Sequence, residues 1–137
     1  MKQVTIVSED RVGLLADISY VLGKSSVNIE GLSVDVLGGK AVIGLEVKDP
    51  GKAQDILSRN GFQTTPPEAI VIRVSNESMD KITEMLETEK ICVTALSMLS
   101  RDKTDGIFAI NVDKPRKAHR MLGPFMIGNT PQPESYY

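Results

Sequence analysis

The strongest constraint on the fold of this chain is an internal repeat. Residues 41–47 (AVIGLEV) match residues 106–112 (GIFAINV) at a separation of 65 positions, and residues 29–34 (IEGLSV) match residues 93–98 (VTALSM) at a separation of 64. The matched segments follow one another in the same order in both halves. A duplication is therefore favoured over chance overlap between amphipathic segments.

Strand-like and helix-like hydrophobic patterns alternate in the same order in each half, β-α-β-β-α-β. The predicted segments of the first half are the strand QVTIVS, a helix from Gly13 that ends near Gly23, a hairpin with its turn at Gly38-Gly39, a helix capped by Asp49 and ended by Asn60-Gly61, and the strand FQTT. Those of the second half are the strand AIVIRVS, a helix from Met79, the hairpin strands ICVTALSMLS and TDGIFAINV, the helix KPRKAHRML and a last strand FMIGN.

This order predicts an α+β protein made of two ferredoxin-like units, residues 1–67 and 68–128, with a tail at 129–137. A unit of about 65 residues buries too little surface to be stable alone, so we expect the two units to pack together. Packing edge to edge, or helix layer to helix layer, would also hide exposed strand edges.

Composition and charge argue against nucleic-acid-binding and membrane proteins. Of the 137 residues, 41% are apolar and 25% charged, and the formal net charge is -2. No general basic field is present to attract nucleic acid or anionic lipid. No apolar run approaches the ~20 residues that span a bilayer, and the single cysteine cannot form an internal disulfide. We therefore expect a cytoplasmic protein without a nucleic-acid or membrane partner.

The segment between the first strand and the first helix, centred on Gly13, carries the chemistry of a binding site. We expect Asp10 or Ser8 to cap the helix. Glycine lets another group approach its backbone closely, and the first turn of a helix offers unpaired N–H donors for a carboxylate, with Arg11 beside it. Asn28, predicted to open a second strand alongside the first, offers both a donor and an acceptor. Each of these residues alone is also typical of an ordinary turn.

The segment DRVGLLADISYVLGKSSVNIEGLSVD resembles the signature of the ACT domain, a small regulatory module with a ferredoxin-like fold. Members of that family commonly bind amino acids at an interface between two ACT units and regulate amino-acid metabolism. Val12 stands where many members have proline. The resemblance implies a set of ligand-binding residues in the loop and at the start of the second strand: Asp10, Arg11, Val12, Gly13, Leu14, Leu15, Asn28 and Ile29.

The second half departs from that signature. Its corresponding loop, SNESMDK, has no glycine at the position of Gly13, and Cys92 stands where Asn28 stands. A side chain would obstruct a close ligand there, and a thiol is a weak hydrogen-bond partner. We expect the second half to provide a surface for the site of the first half, without an equivalent site of its own.

The sequence thus predicts a non-enzymatic regulatory protein that binds a small amino acid, needs no cofactor or metal, and forms a homodimer or larger homo-oligomer. An alternative is a regulatory subunit that docks onto a biosynthetic enzyme, as in acetolactate synthase, with little or no ligand binding. A small enzyme ranks lowest because no nucleophile, base and orienting group converge. We expect His119 to be a solvated helix residue, Cys92 to be a buried structural thiol, and the basic run at 113–120 to be a solvated helix face.

Overall fold

The computed structural model describes residues 2–66 and 68–127, called here the first half and the second half. These residues form an α+β protein with two antiparallel sheets and four α-helices, as is consistent with the ferredoxin-like prediction. The strands are β1 (Lys2–Glu9), β2 (Gly31–Leu37), β3 (Lys40–Val47), β4 (Gln63–Thr64), β5 (Ile70–Ser75), β6 (Val93–Arg101) and β7 (Asp105–Val112). The helices are α1 (Leu14–Lys24), α2 (Pro50–Arg59), α3 (Met79–Thr88) and α4 (Pro115–Leu122). Among the described residues no helix has the length and apolar character needed to span a membrane.

The sheet of the first half has the strand order β2-β3-β1-β4. Glu9 at the end of β1 lies opposite Lys40 on β3, and Gly31 at the start of β2 lies opposite Glu46 on β3. The expectation that the second strand lies alongside the first is therefore wrong, because β3 separates them. The hairpin turn at Gly38-Gly39, with φ of 58° and 77°, is confirmed, and its tight closure makes β3 the immediate neighbour of β2.

Helices α1 and α2 cover one face of this sheet. Strand residues point to alternate faces, so every second residue of β1 and β3 meets the helices. The core contains Ile6 of β1, Ile43 of β3, Leu22 of α1 and Leu57 of α2, all fully buried. Burying a Leu or Ile side chain contributes about 1.5–3 kcal/mol relative to leaving it exposed, so this layer accounts for much of the stability of the half.

The second sheet has three strands in the order β5-β7-β6. The predicted last strand FMIGN is not formed over the described residues. Phe125 ends a short 3-10 helix (Gly123–Phe125), and Met126 makes only an isolated antiparallel bridge with Ile72. Proline at position 124 removes a backbone donor just before this segment. Gly128, Asn129 and the predicted tail at 129–137 lie outside the described residues.

The predicted helix ends are partly correct. Asp49 caps α2 by accepting a hydrogen bond from the backbone N–H of Lys52 at 3.1 Å, and Gly61 beyond α2 has φ of 85°. Helix α1 ends at Lys24, near Gly23 as predicted, but the left-handed residue is Ser26 and not Gly23. Leu22 and Gly23 carbonyls accept the closing hydrogen bonds from Val27 and Ser26, which supports that conformation without glycine.

The two halves pack sheet against sheet through the faces that carry no helices. The apolar contact includes Leu37 and Val42 of the first half and Val71 and Ile107 of the second. The expectation of edge-to-edge or helix-to-helix packing is therefore wrong. The helices already cover one face of each sheet, and the apolar residues on the opposite faces find their cover in the other half.

An ion pair joins the halves at the rim of this contact. Arg73 on β5 lies 3.1 Å from Asp35 on β2 and 3.1 Å from Asp105 on β7. Burial alone would lower the pKa of Arg73, but the hydrogen bonds and charges of Asp105 and Asp35 outweigh it, so that the pKa is raised. The guanidinium remains charged and bridges strands of both sheets.

The hairpin turn of the first half also contacts the second half. The hydroxyl of Ser100 donates a hydrogen bond to the carbonyl of Leu37, and a Cβ atom added to Gly38 would collide with the backbone carbonyl of Arg101. An added Cβ at Gly39 would meet nothing within 4 Å. The two glycines share a left-handed conformation and differ only in this contact between the halves.

We predict that Gly38→Ala destabilises the chain more than Gly39→Ala. Each alanine in a left-handed conformation costs about 1–2 kcal/mol, and the collision with Arg101 adds about 1–3 kcal/mol at position 38 alone. Urea unfolding of both variants measures the difference. Equal losses of stability would contradict the close contact between the halves.

Candidate functional site

The loop between β1 and α1 is held by backbone hydrogen bonds. The N–H of Asp10 donates to the carbonyl of Gly39 at 3.1 Å, and the N–H of Leu14 donates to the carbonyl of Arg11 at 3.3 Å. Gly13 is the N-cap residue of α1 with φ of 82°, a conformation that other residues adopt only under strain. The sequence thus places its glycine where the turn requires one.

None of the described side chains caps the start of α1, so the prediction of a cap by Asp10 or Ser8 is wrong. The Ser8 hydroxyl donates to the carbonyl of Glu9. Among the described residues, no carbonyl or side chain accepts from the N–H groups of Leu15 and Ala16. Two donors at the positive end of the helix dipole are therefore available to an anion.

A cavity of about 330 Å³ opens beside this helix start. Five of the residues predicted for the site line it, and four others from α1, β2 and β3 complete the walls: Asp10, Arg11, Gly13, Leu14, Leu15, Ala16, Val34, Ala41 and Ile43. All of these residues belong to the first half. The structure thus does not place the second half against this cavity, contrary to the expectation that it would provide a surface there.

The walls of the cavity divide into a polar and an apolar side. Arg11 forms an ion pair with Asp17 of α1 at 2.8 Å, with both side chains about half exposed. Because exposed pairs contribute at most about 1 kcal/mol, a bound carboxylate can compete with Asp17 for the guanidinium. Val34, Ala41 and Ile43 form the apolar side. Val12 lies beside the cavity with its side chain fully exposed to solvent.

Asn28 and Ile29 lie at the other end of the sheet. They precede Gly31, which is opposite Glu46, whereas the Gly13 loop follows Glu9 at the Lys40 end of β3. Six residues of strand separate the two ends, or about 20 Å. Asn28 is exposed, and Ile29 packs partly against the core of the first half. One chain therefore does not bring Asn28 to the cavity.

The edge strand β2 connects these two ends and leaves apolar side chains uncovered. Leu32, Val34 and Val36 are 52%, 43% and 50% exposed. They lie opposite Leu45, Ile43 and Ala41, and so on the helix-bearing face of the sheet, but beyond the reach of the helices. An exposed strand edge with an apolar stripe is a surface that favours pairing with another strand.

Three residues of the cavity come from the hairpin and were not predicted from the sequence: Val34, Ala41 and Ile43. They are 20 to 30 positions from Gly13 along the chain. Alternation along the two predicted hairpin strands places these residues on the helix-bearing face, and this signal could have found them. The contact itself depends on the strand order, which local patterns do not determine.

The corresponding region of the second half is built differently. Ser78, the N-cap of α3, is in the right-handed helical region, and its hydroxyl lies 2.5 Å from that of Ser75. Cys92 precedes β6 and is exposed, so the expectation of a buried thiol is wrong. Its backbone N–H donates to Asp113, which places the residue at the sheet end instead of inside the sheet.

The prediction for His119 is confirmed. His119 is exposed on α4, as expected of a solvated helix residue. Within residues 2–66 and 68–127, no group of three or more His, Cys, Asp or Glu side chains is placed to hold a metal ion.

No family model and no curated protein matches this chain. Among solved structures, a protein from Bacteroides thetaiotaomicron is 21% identical over 92% of this chain and 90% of its own, with a TM-score of 0.49. The regulatory subunit of aspartate kinase from Thermus thermophilus is 12% identical over 88% and 89%, with a TM-score of 0.42. The small subunit of acetolactate synthase from Thermotoga maritima is 16% identical over 92% and 88%, with a TM-score of 0.40. All three TM-scores are below 0.5.

Proposed function

We propose that this chain is a non-enzymatic regulatory protein of two ACT-type units that binds a small amino acid at an interface between units. The observation that carries the proposal is the start of α1, which lacks a side-chain cap and opens into a cavity of about 330 Å³ at the left-handed Gly13. The volume is at the lower end of small-molecule sites, as suits a single amino acid.

Each part of an amino-acid ligand would contact a different part of the cavity wall. The ligand carboxylate binds the N–H groups of Leu15 and Ala16, where the helix dipole favours negative charge, and draws Arg11 from Asp17. The ligand side chain lies against Val34 and the neighbouring apolar residues of β3. These walls favour an aliphatic side chain over a charged one.

A second copy of the chain supplies the remaining predicted residues. If two β2 edges pair antiparallel about a two-fold axis near Val34, Asn28 of the partner subunit comes to the Lys40 end of β3. That end carries the Gly13 loop. Asn28 of the partner subunit then forms a hydrogen bond with the ammonium group or side chain of the ligand. Ile29 of the partner subunit holds Asn28 in position. This places all eight predicted residues at one interface in a homodimer.

Such a site gives the ligand control over assembly. A ligand that contacts both copies binds the paired state more tightly than the separate one, and it shifts the equilibrium by that difference in affinity. In this proposal the ligand sets the amount of paired protein, and the paired protein regulates amino-acid metabolism.

We predict that one of the twenty amino acids raises the melting temperature of the wild-type chain and that Gly13→Leu abolishes this effect. A ligand in large excess over its dissociation constant stabilises by about 3 kcal/mol. A leucine side chain at position 13 occupies the approach to the helix start. Thermal-shift measurements followed by calorimetry test both points.

Gly61→Leu is the matched control, since Gly61 has φ of 85° and open space around it, as Gly13 does. The two substitutions carry similar backbone strain, but only Gly13 lies at the cavity. Retained binding in Gly13→Leu, or equal loss in both variants, would argue against the site.

We also predict that Val34→Lys converts the homodimer to a monomer and weakens amino-acid binding. A lysine ammonium at the centre of a paired edge would be buried next to its symmetry copy, and like charges at that distance repel. Light scattering coupled to size exclusion gives the mass. The control Leu96→Lys changes a residue of similar exposure on the edge of the second sheet, and it should leave the dimer intact.

A second function, docking onto a biosynthetic enzyme such as acetolactate synthase, has one observation in its favour. The edge strand β6 of the second sheet also exposes Leu96 and Met98 by half or more. If this edge binds a catalytic subunit, Leu96→Lys abolishes copurification with that subunit while Val34→Lys does not. Absence of any change in the activity of the catalytic subunit when the wild-type chain is added would remove this candidate.

A further inference from the structure

A second cavity lies in the second half, away from the Gly13 loop. It has a volume of about 690 Å³ and lies between the start of β5 and helix α4. Ala69, Ile70 and Pro115 form its apolar wall, and Arg116, His119 and Arg120 line its other side. We call it the α4 groove.

The basic residues of the α4 groove form no polar contact with any other residue that the structure describes. Among the described residues, no hydrogen bond or ion pair involves the side chains of Arg116, His119 or Arg120. The lysines of the same helix region differ, because Lys114 donates to the carbonyl of Lys90 and Lys117 pairs with Glu89. Within the described part of the chain, the groove therefore holds two unpaired guanidinium groups one helical turn apart, and such like charges at i and i+4 repel when nothing binds them.

The first half shows that the fold does not need these cations. At the separation of 65 positions that relates the halves, Arg116, His119 and Arg120 correspond to Gly51, Gln54 and Asp55. None of these three carries a positive charge. The Gln54 side chain of α2 donates a hydrogen bond to the carbonyl of Thr65 at 3.4 Å. The segment that follows β4 in the first half therefore contacts helix α2 at this position.

Helix α4 is basic, whereas the whole chain is mildly acidic. Residues 114–122 contain Lys114, Arg116, Lys117 and Arg120 and no acidic residue, within a chain of formal net charge -2. The one acid in the α4 groove, Glu68, forms no ion pair with its arginines. A local positive field over an apolar wall favours a ligand that has an anionic group and an apolar body.

We propose that the α4 groove is a second binding site, which takes a small organic anion. Its carboxylate, phosphate or sulfonate group lies between Arg116 and Arg120, which offer planar guanidinium donors, with His119 between them on the helix. Its apolar body covers Ile70, Ala69 and Pro115. The α4 groove shares no residue with the amino-acid cavity. The test of this second site is therefore independent of the test of the proposed function.

The test uses the full chain and the fluorescent probe anilinonaphthalene sulfonate, an aromatic body with one sulfonate. The double variant Arg116→Gln/Arg120→Gln should weaken probe binding at least tenfold in a fluorescence titration. The control Lys52→Gln/Lys81→Gln removes the same charge from exposed positions on α2 and α3, and it should leave the affinity unchanged. Competition by hexanoate and by hexyl phosphate distinguishes a carboxylate ligand from a phosphate ligand.

Nitrogen-15 NMR of the full chain locates the probe, with expected shifts at the amides of Ala69, Ile70 and His119. Circular dichroism melting checks that the double variant is folded. Equal affinities in the two double variants, or probe-induced shifts confined to β2 and β6, would overturn the α4 groove as an anion site. Unchanged probe binding in Gly13→Leu would show that the groove acts apart from the amino-acid cavity.

Discussion

The pairing of β3 with both β1 and β2 is the constraint on which the rest of the first half depends. It holds the Gly13 loop against the hairpin turn, through the hydrogen bond from Asp10 to Gly39. It also moves β2 to the sheet edge and carries Asn28 to the opposite end. The cavity and the distant asparagine are thus two results of one strand order. A ligand that uses both needs a second copy.

The packing between the halves follows from the same arrangement. Each sheet has helices on one face, and the free faces bury their apolar residues against each other. The contact of Leu37 and Val42 with Val71 and Ile107 supplies this burial, and Arg73 joins the rims through Asp35 and Asp105. Because this contact uses faces, the edges β2 and β6 stay open for partners.

The sequence predicted elements better than it predicted contacts. The Gly38-Gly39 turn and the Asp49 cap depend on a few neighbouring residues, and both were correct. The left-handed role of Gly23 was wrong because closing hydrogen bonds stabilise Ser26 in a conformation more typical of glycine. Cys92 was misplaced because β6 begins after it, at Val93. The packing between the halves and the hairpin wall of the cavity depend on contacts between distant segments, which a local hydrophobic pattern does not encode.

The central claim is that Asn28 of one subunit meets the Gly13 loop of another when an amino acid is bound. Isotope-filtered NMR on a mixture of labelled and unlabelled chains tests it most directly, because about 20 Å separates these residues within one chain. We predict nuclear Overhauser effects between Asn28 and residues 10–15 of the partner subunit in the presence of ligand. Ligand-induced shifts at Gly13 without any such effect at Asn28 would contradict the shared site.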